Sequence, residues 1–229
     1  QETFSSLGNI LPQKATYLIL GSLLVAFIIQ LAIGLNQSAQ ILGLKPNLFF
    51  SQPWRLFTSM FVHGGLWHLF ANGMTLYFLG SNLENLIGKK YFLVTYFAGG
   101  VAGGLFYALA PIIGLGDPSI AAVGASGAIF AVGAALAILR PKLEVFIFPL
   151  FIPIPLYIAI FGVFFVLSFL PGVAWQGHMG GLIVGVLMGY WLKKNNKARP
   201  TMQDFMRNAL QGFQIDFNDF SNNKRRKKR

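Results

Sequence analysis

Cysteine is absent from all 229 residues, which removes disulfides, thiolate metal sites and a thiol nucleophile from the available chemistry. Charge is scarce: Asp, Glu, Lys and Arg make up 11% of the chain, against about 25% in a typical soluble domain. A surface cannot be dressed for water with so little. Acidic residues are the rarest, seven against 18 basic ones, and none of the four aspartates (117, 204, 216 and 219) falls within a long apolar run. A paired-aspartate intramembrane site is therefore excluded. The three histidines, at 63, 68 and 178, never form His-Glu-x-x-His, so the helical zinc-hydrolase signature is missing as well. No metal and no cofactor is expected.

What is present points to lipid as the solvent. Hydrophobic residues account for 55%, with 23 Phe and 26 Gly, a composition suited to packed membrane helices. The net charge of +11 is uneven: from Lys193 onward there are eleven Lys or Arg and three Asp. Such a basic tail favours anionic lipid as its partner and argues against nucleic acid. Met206, Leu210, Phe213, Phe217 and Phe220 recur at steps of three and four, so the tail reads either as an amphipathic helix on the membrane or as disordered.

Crossing about 30 Å of hydrocarbon takes roughly 20 helical residues. Runs bounded by charge or by Pro and Gly occur at 15–35, 67–87, 91–111, 126–139, 156–170 and 177–192. The expected fold is an all-α polytopic bundle of six transmembrane helices, occupying 15–192 between an N-terminal segment 1–14 and the tail 193–229. The second, fourth and sixth runs are short or polar, so they are expected inside the bundle. Lys14, Lys89, Lys90, Arg140, Lys142 and the tail share one side under six crossings, which places both termini in the cytoplasm. The outer loop 36–66 is apolar, carrying Trp54, Phe57, Met60 and Phe61; it reads as a segment dipping into the outer leaflet, or as an aromatic interface belt.

Polar residues inside such runs are functional candidates, and here they are His68, Asn72, Glu84, Ser126 and His178. Elimination leaves a hydroxyl nucleophile with a histidine base. Ser126 lies in Gly124-Ala125-Ser126-Gly127 at a helix start, where unpaired N–H groups favour developing negative charge, although a plain helix cap has the same appearance. By helical rise, Ser126 stands roughly 21 Å above Arg140, His178 roughly 22 Å above Lys193 and Asn72 roughly 25 Å above Lys89. Three polar groups thus share one level. Gly177, Gly181, Gly185 and Gly189 form a ridge that can meet Gly127, Ala131 and Ala135, bringing His178 toward Ser126. By the same rise Glu84 is roughly 24 Å from His68, which suits fixing a helix end, and His63 reads as a loop residue.

These residues resemble the rhomboid family of intramembrane serine proteases over about 54–191. The carrying motifs are Trp54-Arg55, His68-x-x-x-Asn72, Gly80-x-x-x-Glu84-x-x-x-Gly88, Gly124-x-Ser126-Gly127 and His178-x-x-Gly181-x-x-x-Gly185. Two positions depart from the family pattern: Gly177 stands where Ala is frequent, and Phe130 where Tyr is frequent, so Phe130 can only pack on His178. The resemblance implies hydrolysis of peptide bonds in or beside the transmembrane segments of membrane-protein substrates. Ser126 would be the nucleophile and His178 the base, with His68, Asn72 and backbone near Gly127 receiving the oxyanion. A prokaryotic plasma membrane is the expected setting. The rivals are a proteolytically silent relative that holds client helices, and a small channel, for which no polar column is visible in the fourth and sixth runs.

Overall fold

The computed structural model describes residues 14–147 and 152–198. The first helix, α1 (Lys14–Ile33), has 20 residues, about 30 Å of rise. It buries Ala15, Thr16, Ile19, Leu23, Phe27 and Gln30, a single stripe at steps of one, three and four. The rest of its surface is apolar yet exposed: Leu18, Leu24, Val25, Ile28 and Leu31 are all more than half accessible. An apolar outer face is what a lipid-facing helix requires.

The segment expected as an outer loop is largely folded. It contains α2 (Leu35–Leu42), a 3₁₀ turn at Pro46–Leu48, α3 (Arg55–Thr58) and a second 3₁₀ turn at Ser59–Phe61. Aromatic residues remain on its outside, with Phe50, Trp54 and Phe57 exposed.

Helix α4 (Leu66–Leu109) runs for 44 residues and is broken at Gly88, whose φ of 81° and ψ of 162° are not helical. That conformation is open to glycine and strained for other residues. The limbs on either side fold back on one another, since a Cβ placed at Gly80 would lie 3.4 Å from Phe92 Cε2. Twelve residues of straight helix would separate those positions by about 18 Å. By length and composition, α1 and the apolar stretch Leu66–Ile113 can each cross a membrane.

Among the described residues three further helices pack with these: α5 (Ser126–Leu139), α6 (Leu156–Leu167) and α7 (Trp175–Lys194). Between α5 and α6 the otherwise helical chain carries a short strand pair that the sequence did not announce. An antiparallel hairpin pairs β1 (Glu144–Ile147) with β2 (Ile152–Pro155), Phe146 opposite Pro153. The physical reason lies in the composition of β2: Pro153 and Pro155 cannot continue a helix, while β-branched Ile152 and Ile154 favour extended backbone. In α6, residues Ala159–Phe164 are π-helical.

The core lies around α5, which packs chiefly against α7 and α4. Ten of its 14 residues are buried, five of them alanine. At Gly181 a Cβ would overlap the carbonyl oxygen of Gly127, and at Gly185 that of Ala131. Only hydrogen at those positions lets the two backbones touch, which is the small-residue contact anticipated for these helices.

Candidate active site

Ser126 opens α5, and the chain is delivered to it under tight control. Leu44 and Ala122 exchange two backbone hydrogen bonds of 2.9 Å, and Gly124 N–H donates to the Ser59 carbonyl at 2.9 Å. Gly124 itself has φ of 118°, in the region that favours glycine, and a Cβ there would stand 2.8 Å from the His68 imidazole. Gly124 therefore supplies both the turn and the clearance for His68. The tight approach of α5 and α7 carries over to the side chains: His178 Nε2 lies 2.8 Å from Ser126 Oγ. The Phe130 ring stacks on His178 with centroids 4.3 Å apart and planes at 20°. A pocket beside Ser126 is lined by Met60, Gly103, Tyr107, Ala174 and Gly177 among others.

His68 and Asn72 sit one turn apart on the first limb of α4. Gly64 N–H donates to His68 Nδ1 at 3.3 Å; the neutral ring then carries its proton on Nε2, the atom beside Gly124. Asn72 is buried and donates one amide N–H to the His68 carbonyl at 2.9 Å. Its Oδ1 is buried without a partner. The intrahelical rule leaves the first N–H groups of α5 unpaired as well. A hydroxyl held against an imidazole, beside several N–H donors, can attack a carbonyl and hold the oxyanion that forms.

The remaining predicted residues have structural positions. Glu84 accepts from Ala15 N–H at 3.0 Å and from Thr16 N–H and Oγ1 at 2.8 Å each. It thus caps the start of α1, since a carboxylate suits an N-terminus whose donors are otherwise orphaned. Arg55 is buried and donates to the carbonyls of Gly43 and Gln40, at 2.6 and 2.9 Å, and to Gln52 Oε1, tying α2 to α3. Trp54 points outward, 54% exposed. Gly127, Gly181 and Gly185 belong to the helix seam.

Two residues on which the sequence reading was silent prove important. Gln30 closes a two-bond ring with the His63 backbone, donating to its carbonyl and accepting from its N–H, both at 3.0 Å. Ser168 Oγ lies 2.7 Å from His178 Nδ1. A lone Gln or Ser in an apolar run was the only available signal, and serine satisfies itself so readily on its own helix that it does not stand out. His63 is in a loop, as anticipated, yet fully buried, its ring 5.1 Å from that of His68. Burial, and then the neighbouring His68, lowers its imidazole from the ordinary value to about 4.

Comparison with known proteins adds a family. A family model described as the Rhomboid domain matches residues 51–195. Rhomboid protease GluP of Bacillus subtilis is 32% identical over 177 residues, covering 74% of this chain and 33% of that protein. Rhomboid-like protease 2 of Toxoplasma gondii is 33% identical over 152 residues, 66% of this chain and 52% of the relative. Rhomboid protein 1, mitochondrial, of Saccharomyces cerevisiae is 29% identical over 153 residues, 59% of this chain and 41% of the relative. The chain thus spans a third to a half of these relatives. A protein of Arabidopsis thaliana named Inactive RHOMBOID-like protein 8 is 35% identical over 132 residues, covering 57% of this chain and 35% of that protein.

Proposed function

Because the chain belongs to the rhomboid family, whose relatives include named proteases, we propose that it is an intramembrane serine protease working through Ser126 and His178. The observation that carries the reading is the 2.8 Å contact between Ser126 Oγ and His178 Nε2 at the start of α5. Ser126 attacks a peptide carbonyl while His178 takes its proton, then returns it to the leaving amine; water releases the acyl group by the reverse use of the same pair. The oxyanion is received by the N–H groups of Ser126 and Gly127, His68 Nε2–H and the spare N–H of Asn72. Substrates are membrane proteins cleaved in or near a transmembrane segment.

The test is labelling in detergent with a serine-directed fluorophosphonate. Wild type is expected to label and Ser126→Ala to stay dark. A folded wild type that neither labels nor cleaves would favour the client-holding alternative, to which the resemblance to a protein named inactive lends some weight.

The same reading includes six crossings of a prokaryotic inner membrane with both termini in the cytoplasm, and the basic tail on anionic lipid. The tail stripe and Lys224–Arg229 lie outside the described residues. A chain without cysteine makes topology simple to measure: in intact cells an impermeant thiol reagent should label Ser119→Cys and leave Asn223→Cys untouched. The opposite pattern would overturn the orientation.

A further inference from the structure

His178 touches two hydroxyls. Nε2 faces Ser126 and Nδ1 faces Ser168 at 2.7 Å. Ser168, 1% exposed, directly follows α6 as its C-cap, and its Oγ is also 2.9 Å from the Phe164 carbonyl oxygen. A serine hydroxyl has one proton to give, and a carbonyl can only accept. If Ser168 gives its proton to Phe164, its oxygen is left to accept from His178, so Nδ1 carries the ring hydrogen. The lone pair is then on Nε2, facing the Ser126 hydroxyl. Every donor in this chain meets an acceptor: Ser126 to His178, His178 to Ser168, Ser168 to Phe164.

The reverse arrangement has Ser168 donating to Nδ1 and Nε2–H pointing at Ser126, which leaves the imidazole unable to accept the Ser126 proton. Two features of α6 favour the first arrangement. Donation from a helical serine to the carbonyl four residues earlier is a short local contact requiring no reorganisation. The π-helical stretch 159–164 ends at Phe164 itself. A π turn holds more residues than an α turn, which offsets the drift of a four-residue row and keeps Leu156, Ile160 and Ser168 on the buried side.

We propose that Ser168 is a positioning residue that holds His178 in the Nδ1–H tautomer, doing with a neutral hydroxyl what a carboxylate does in a three-residue serine-protease site. It does not touch substrate. Its effect travels through the orientation and tautomer of one ring, with Phe130 stacked on the ring face. The inference rests on the protease reading for its consequence in rate, though the tautomer itself is independent of any activity.

The experiment is ¹⁵N-histidine labelling of the full chain in micelles at pH 8, where three histidines give few signals and those of His178 are the pair absent from His178→Asn. Wild type is expected to show His178 protonated at Nδ1, and Ser168→Ala to show a mixed or inverted tautomer at unchanged thermal stability. In parallel, kcat should fall about 10- to 100-fold in Ser168→Ala, the range seen when a metal-bound histidine loses the partner that orients it, with KM little altered. Ser168→Thr keeps the hydroxyl and should restore both tautomer and kcat. The proposal is overturned if wild-type His178 carries its proton on Nε2, or if Ser168→Ala keeps both tautomer and kcat. A wild type that shows the expected tautomer but neither cleaves nor labels would fail the protease reading instead, and leave the positioning role intact.

Discussion

Helices α1 and α5 are both apolar, and they are held by opposite means. Helix α5 buries ten of 14 residues and meets α7 backbone to backbone, through alanine and glycine. Helix α1 buries six of 20 and is fastened at two polar points: Glu84 at its start and Gln30 near its end. In lipid there is no hydrophobic drive between helices, so association rests on packing and hydrogen bonds. Around Ser126 the molecule relies on backbone packing, while on α1 the buried stripe of Ile19, Leu23 and Phe27 is supplemented by hydrogen bonds near both ends. Backbone contact gives a position that cannot slide, which a nucleophile and base need to within fractions of an ångström. Two side-chain latches place an outer helix adequately while leaving most of its surface to lipid.

The sharpest way to expose this difference is to separate activity from stability. Ser126→Ala and His178→Ala should each abolish cleavage, with losses that do not add in the double variant, because the pair acts as a unit. Their thermal midpoints should match wild type. His68→Ala and Asn72→Ala should keep residual activity, down about 100- to 1000-fold in kcat, since backbone donors still support the oxyanion. Full cleavage by folded Ser126→Ala protein would end the serine-protease reading.

Next in size is the seam. Gly181→Leu forces a side chain against the Gly127 backbone; overpacking costs about 1–3 kcal/mol where neighbours can yield, and here the struck atoms are main chain. Thermal stability should drop sharply and labelling of Ser126 should vanish with it. A stable, active Gly181→Leu protein would show that the backbone contact is dispensable.

On the α1 side the expectation is reversed. Glu84→Ala strands three donors of Ala15 and Thr16 and should lower stability by about 2–4 kcal/mol, measured by thermal unfolding in detergent, while kcat stays within a few-fold of wild type. Loss of kcat at matched stability would mean that the outer latch reaches the site.

The pH-dependent effect that vanishes at neutral pH, and is therefore the smallest there, concerns His63. Its folded-state pKa of about 4 lies below the ordinary 6.5, so the unfolded chain binds the proton first. Its contribution to stability is full above pH 6.5 and falls as pH drops toward 4, by about 1.4 kcal/mol per unit at most. His63→Phe should flatten that part of the stability curve relative to wild type. Identical slopes would place the pH sensitivity elsewhere.

The approach of Ser126 to His178 was legible because polar residues in lipid-bound runs are costly, and because Gly124-x-Ser126-Gly127 and the glycine ridge with His178 leave marks in the chain at fixed spacing. Membrane character followed from composition alone, since scarce charge cannot coat a soluble surface. The pairing of 144–147 with 152–155 escaped a search for apolar runs of membrane-crossing length, because both strands fall in the connection between two such runs and strand pairing is set across the chain. Ser168, ten residues before His178, gave no sign beyond being a lone serine in an apolar run; its contact with His178 is a 2.7 Å distance between two elements. Periodicity and composition act along the chain, so the sequence by itself determined the solvent, the main helical runs and which polar residues fall within them. Hydrogen-bond direction and backbone contact act across it, so only the tertiary structure decided which hydroxyl meets each imidazole nitrogen and which carboxylate caps which helix.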